Sequence, residues 1–170
     1  MIELLRLFTD IALMRKSPED VPASPLVLVL TIVAFFGVQL VVGTVLPPVA
    51  GHWINNLVLE VVFTFFWYTA LLYAVGKPER FLQTSTAVFG FQIVLAPVLI
   101  AALWLQRRFE PDSIGAFGVT LISLALLIWV IAANSHIVKA ALEWSMAPSV
   151  ALVILQNLAG ELLVLTFFHS

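Results

Sequence analysis

The sequence predicts an all-α, polytopic membrane protein: a bundle of five transmembrane helices preceded by an amino-terminal interfacial amphipathic helix. Three observations carry that reading. The chain is 62% hydrophobic and 11% charged, with a mean hydropathy of +1.08, whereas a soluble domain of 170 residues must cover itself with far more polar side chains. The apolar residues gather in five blocks of about 20, the length that crosses a hydrocarbon core of roughly 30 Å. Between the blocks stand short stretches rich in Pro, Gly and charge, where the backbone returns to water.

The first unit is residues 1–24, an amphipathic helix and a linker. In "IELLRLFTDIALM", Glu3, Arg6 and Asp10 form one polar stripe, while Leu4, Leu5, Leu7, Phe8 and Ile11 cover the rest. Such a helix can lie in the headgroup plane with its apolar side in the acyl boundary; the plainer alternative packs it on the inner ends of the bundle. Residues 25–170 form the second unit, with spans at Pro25–Leu46, Trp53–Tyr73, Thr84–Leu105, Ile114–Asn134 and Ser145–Phe168. The loops are "PPVAGH", "AVGKPERFLQ", "QRRFEPDS" and "SHIVKAALEW". The first apolar block is long and leads into further spans, so a cleavable signal is not expected.

Orientation follows from the basic residues. Arg6, Arg15, Lys16, Lys77, Arg80 and Lys139 fall on one side, and only Arg107 and Arg108 on the other. That imbalance places the amino terminus in the cytoplasm and the carboxyl terminus outside. Glu110 and Asp112 offer local partners to the Arg107–Arg108 pair. Trp53, Trp104 and Trp144 fall at span ends and fit an interfacial belt, while Trp67 and Trp129 lie deeper and should pack between helices.

Several function classes are excluded or disfavoured. The absence of cysteine excludes disulfides and thiolate metal sites. A net charge of −2 with eight scattered basic residues argues against nucleic acid. No GxSxG, HExxH, P-loop or GxGxxG motif occurs, so neither a catalytic residue nor a cofactor is expected. His52 and His169 fall near Glu60 at the outer surface, but their spacing matches no zinc motif, and no metal is expected.

The polar residues inside the spans are the candidates for function. Glu60 lies seven residues after Trp53 and Glu161 seven before Phe168, so each sits roughly 10 Å below the outer boundary. An ionised acid there costs about 2.5–3.5 kcal/mol, and such residues mark ion and substrate paths. Thr64 follows Glu60 at helical spacing, and Asn157 precedes Glu161 at the same interval with Gln156 beside it. Gln39 in the first span reaches a comparable depth. The plainer reading is cross-helix hydrogen bonding, about 0.6 kcal/mol per contact on average, enough to set register. The functional reading is a cation, proton or lipid-headgroup site open to the outside. Gln92 and Pro97 go together as a packing kink in the third span. At the inner surface, Arg15, Lys16, His136 and Lys139 are candidate contacts for a lipid headgroup, with Asn134 and His136 read as an ordinary helix end.

The stretch "LLYAVGKPERFLQTSTAVFGFQIVLAPVLIAALW", with Gly76, Phe81, Gly90 and Pro97, resembles the part of Yip1-domain membrane proteins where a short Gly-containing loop precedes a span with a late Pro. "LLIWVIAANSHIVKAALEW", with Trp129 and Lys139–Ala140, is similar to the next span of that family, and "RKSPEDVPASPL" to the Pro-containing lead-in to its first. The resemblance implies five spans with a cytoplasmic amino terminus and supplies no catalytic residues. Its eukaryotic members are associated with vesicle trafficking and small GTPase binding. That binding is not expected here, where the segment before the first span is short; compact relatives look bacterial. The expectation is therefore a non-enzymatic inner-membrane protein acting through lipids, another membrane protein or a second copy of itself, in an accessory or assembly role. The alternative is a small transporter or lipid carrier using Glu60 and Glu161.

Overall fold

The computed structural model describes residues 2–45, 53–110 and 113–168. Among them are six α-helices and no strand: α1 (Ile2–Ala12), α2 (Pro25–Val45), α3 (Trp53–Ala74), α4 (Phe81–Gln106), α5 (Ile114–Leu142) and α6 (Met146–Phe168). The last five are long and apolar enough to cross a membrane. Short 3-10 turns at Pro18–Asp20 and Pro78–Arg80 lie at the end of the bundle that carries α1, here the proximal end. The opposite, distal end holds the carboxyl-terminal ends of α2 and α4 and the first turns of α3 and α5.

The helix limits have local causes. The Ser113 hydroxyl caps α5 by accepting from the Ala116 N–H at 3.1 Å, which satisfies one of the orphan donors of the first turn. Three helices end on a residue in the left-handed region: Met14 after α1, Gly76 after α3 and Glu143 after α5, with φ of 57°, 76° and 57°. In each, the next amide reaches back five residues, as Lys77 N–H does to the Leu72 carbonyl at 2.8 Å, closing a Schellman-type cap. Only Gly76 adopts this backbone without steric cost.

Helix α4 is the axis of the fold. Its residues 84–91 are buried without interruption, so that stretch is surrounded on every side rather than facing a core with one stripe. Thr84, Ser85, Ala87 and Gly90 are small, which lets neighbouring backbones approach closely, the main means of packing helices in lipid. One side of α4 meets α2 and α3 through aromatic rings: Phe89 lies 5.3 Å from Phe35 and 5.6 Å from Phe65. The other joins Phe8, Ile11 and Ala12 of α1, Tyr68 and Leu72 of α3, and Ala133 and Ile137 of α5 in a second cluster.

Helix α1 is docked on this axis. A Cβ added to Gly90 would collide with the Phe8 ring, so the absence of a side chain at 90 makes the seat for Phe8, which is 3% exposed. The Trp129 indole N–H donates to the Ala12 carbonyl at 3.0 Å, and Gln83 donates to the carbonyls of Glu19 and Val21. Ile2 and Leu5 stay exposed on the outer side of α1, away from the bundle.

One boundary differs from the sequence expectation. The fourth span was expected to end at Asn134 with "SHIVKAALEW" as loop, but α5 continues to Leu142. Polar composition continues past Asn134, at His136 and Lys139, because the chain nears the proximal surface there. The helix persists because α1, the Pro18–Asp20 turn and α6 cover it, burying Ser135, Ile137, Val138, Ala141 and Leu142. At 29 residues, α5 is about 43 Å long, more than the roughly 30 Å of a hydrocarbon core. The first span is described as far as Val45; its expected last residue, Leu46, lies outside the described residues.

Ion pairs clamp the proximal end. Arg80 pairs with Glu19 at 3.0 Å and with Glu143, and Lys77 pairs with Glu143. Arg80 also donates to the Ala140 carbonyl at 2.8 Å, one of the orphan acceptors at the end of α5. The hydrogen bond from Lys77, reinforced by the charges of Lys77 and Arg80, holds the Glu143 carboxyl below the usual glutamate range.

Two outcomes follow. Gly90→Val should displace Phe8 and loosen α1, lowering stability by about 1–3 kcal/mol. Trypsin should then cut faster after Arg6 while the five long helices stay inserted, and unchanged cleavage would refute the seat. Because the folded Glu143 value is depressed, its contribution is complete above about pH 4.3, the ordinary glutamate value, and is lost as pH falls through the lower folded value. A carboxyl NMR titration should show that low midpoint, moved up toward the ordinary value by Lys77→Met.

Candidate functional site

On α3, Asn56, Glu60 and Thr64 recur every four residues and so share one stripe. On α6, Val153, Asn157 and Glu161 do the same, with Gln156 and Gly160 beside them. These two stripes face each other across the distal half of the bundle. With Gln92 of α4 and Asn134 of α5 they line a cavity of about 380 Å³. A second cavity of about 260 Å³ shares Glu60, Gln92, Asn134 and Asn157 with the first. Beyond those four it is lined by Gln39 and by apolar side chains, among them Val42, Leu95, Ala96, Leu99 and Leu103.

The first cavity is polar and open. Glu60, Asn157 and Glu161 remain exposed although they line it, so it opens to the surroundings. Thr64, on the inner wall, is only 4% exposed. Phe63 extends over Gly160, where even an added methyl would make ordinary contact. One turn from Thr64 toward the proximal end, the Tyr68 hydroxyl meets the Gln156 side chain; Tyr68 is 2% exposed and closes that side.

Hydrogen-bond accounting gives the site its chemical character. Asn157 donates its amide N–H to the Val153 carbonyl at 2.7 Å, which leaves the amide oxygen as its end for a ligand. Asn56 Oδ1 and Gln92 Oε1 are buried with no partner, and a buried, unpartnered acceptor costs about 1–3 kcal/mol. Two carboxylates add acceptor capacity. Among the described residues, no Lys, Arg or His lines either cavity. The walls therefore present oxygen acceptors without a cation to meet them.

The structure brings Glu60, Thr64, Gln156, Asn157 and Glu161 to one cavity and Gln39 to the adjoining one. Asn134, grouped in the sequence with His136 and Lys139 at a helix end, instead belongs to the cavity wall. Gln92, expected only to accompany a kink, lines both cavities, and α4 runs through Pro97 without a break. Asn56 was missed, although its spacing to Glu60 equals that of Thr64. At the proximal end the His136 Nε2 lies 3.1 Å from the Lys16 carbonyl, and Arg15, Lys16 and Lys139 are exposed.

Trp104 and Trp144 are exposed at helix ends, and Arg108 stacks on Trp104 at 4.3 Å, burying its stem while its charge stays at the rim. His52 and His169 lie outside the described residues, so a zinc arrangement with Glu60 is not described. No family model matches the chain, and neither a curated protein nor a solved structure is similar to it.

Proposed function

We propose that the chain is a non-enzymatic carrier or receptor of the bacterial cytoplasmic membrane that holds a small cationic group between Glu60 and Glu161. The observation that carries this reading is the meeting of two carboxylates and several amide oxygens in an open cavity that no basic residue lines among the described residues. An acid in lipid needs a partner, and among the described residues no cation lines the cavity. Cross-helix hydrogen bonding alone would have paired Asn56 Oδ1 and Gln92 Oε1, which are left unpartnered. The six-to-two distribution of Lys and Arg favours a cytoplasmic amino terminus, which puts the cavity in the outer leaflet.

A Yip1-like role through lipid or membrane-protein partners is the second reading. It is favoured by the exposed Arg15, Lys16 and Lys139 at the proximal end, a basic face suited to anionic headgroups. The two readings concern opposite ends of the bundle, and a lipid contact at one end is compatible with a cation at the other.

Orientation is tested in this cysteine-free chain by placing single cysteines at two exposed positions, Ala23 at the proximal end and Glu110 at the distal end. An impermeant thiol reagent should label them from opposite sides of the membrane; labelling from one side would refute the topology. For the site, ethylammonium is titrated calorimetrically into the purified protein. Glu161→Gln keeps the size and hydrogen bonding of the side chain, so it should fold normally, yet it should weaken binding about tenfold or more, roughly 1.4 kcal/mol. Unchanged binding would reduce the acids to packing contacts.

A further inference from the structure

Resting on the cation-binding reading, we infer that the natural occupant is an amphipathic amine, its ammonium group between Glu60 and Glu161 and its hydrocarbon tail in the second cavity. Glu60, Gln92, Asn134 and Asn157 line both cavities, so a ligand held by Glu60 on one side has direct access to the other. Past that polar wall the second cavity is lined mainly by aliphatic side chains from α2, α4 and α5, including Val42, Leu99, Leu103 and Val130. A wholly hydrophilic cation would leave this space to water with few polar partners, which ordered water requires.

The polar end sorts the head group. The unpartnered atoms are acceptors, Asn56 Oδ1 and Gln92 Oε1, and Asn157 has already used an N–H on its own helix. Thr64, more than nine-tenths buried, lines the same cavity and adds a hydroxyl to it. Acceptors on several sides of a carboxylate pair select a head with several N–H donors. A primary ammonium has three; a quaternary ammonium has none and would leave both amide oxygens unpaired. An anionic head would meet two acids and no base.

The test uses the full chain in phosphatidylcholine nanodiscs, titrated with ethyl-, butyl- and hexylammonium and with 1-hexanol. Affinity should rise roughly threefold to fourfold per methylene as apolar surface is buried, and hexanol should bind at least about tenfold more weakly than hexylammonium, the loss of a charge-assisted contact. Ala96→Phe, filling the second cavity, should flatten the chain-length dependence and leave ethylammonium binding unchanged. Leu103→Trp serves the same purpose should the first variant not fold, and the series on the unaltered protein stands without either. Ethylammonium binding with no gain along the series overturns this inference and leaves the cation site standing. No binding by any amine overturns both, and hexanol binding as well as hexylammonium shows unspecific apolar uptake and overturns the amine assignment. Adding phosphatidylethanolamine to the nanodiscs separates the two sources of a primary amine. Competition with hexylammonium supports a lipid headgroup as the occupant, and unchanged affinity supports a free amphipathic amine.

Discussion

Everything in this fold leans on the complete burial of α4 between residues 84 and 91. Lipid tails are as apolar as leucine, so helices in a membrane gain little by hiding apolar faces from each other and associate through close packing and polar contacts. A helix whose inner half is encircled supplies both. Its small residues let α2, α3 and α5 come near, and the gap at Gly90 takes the Phe8 ring. Through that contact α1 becomes part of the bundle's structure, while its far side, with Ile2 and Leu5 exposed, remains suited to an acyl boundary.

Tight packing at one end leaves room at the other. The proximal end is closed by the α1 dock, by the ring of Arg80, Glu19, Lys77 and Glu143, and by the αL caps after α3 and α5. Each surface ion pair alone contributes little. Arg80, however, also holds the last carbonyls of α5, so the network fixes where a long helix ends. At the distal end α3 and α6 face each other across a cavity, and the Trp53 indole fits against Gly43 to hold α2 beside α3. A rigid proximal half and a hollow distal half is a shape that can admit a ligand without dismantling the core.

Several hydroxyls in the packed half are satisfied within their own helix, which the carboxylates of the hollow half cannot be. Thr31, Thr86 and Ser135 return their hydroxyls to carbonyls of their own helix at 2.6–2.8 Å, which satisfies them without reference to any neighbour. In their ionised form Glu60 and Glu161 have no such local solution, because a carboxylate only accepts and helix carbonyls do not donate. Their need must be met from outside the chain or by another side chain. Around them stand Asn56 and Gln92, whose amide oxygens are buried and unpaired acceptors, so the deficit extends beyond the acids.

The five spans, their order and the matched depth of Glu60 and Glu161 were legible in the sequence, because hydropathy reports one residue at a time whether its surroundings are lipid or water. The same signal marked Asn134 as a place where the chain meets polar surroundings, but it could not show that α5 continues to Leu142. That extension depends on α1 and the 3-10 turn lying against it, a contact between residues more than a hundred positions apart. The stripe of Glu60 and Thr64 followed from helical spacing within one element, and Asn56 was available by the same rule. Gln92 and Asn134 were not, since each is the polar residue of a different helix and nothing in its own neighbourhood says which way it faces. Their membership of the cavity, and the apolar space beyond it, was decided when α4 fixed the rotation of its neighbours. Solvent preference belongs to single residues and can be read along a chain, whereas a cavity exists only where several helix faces meet.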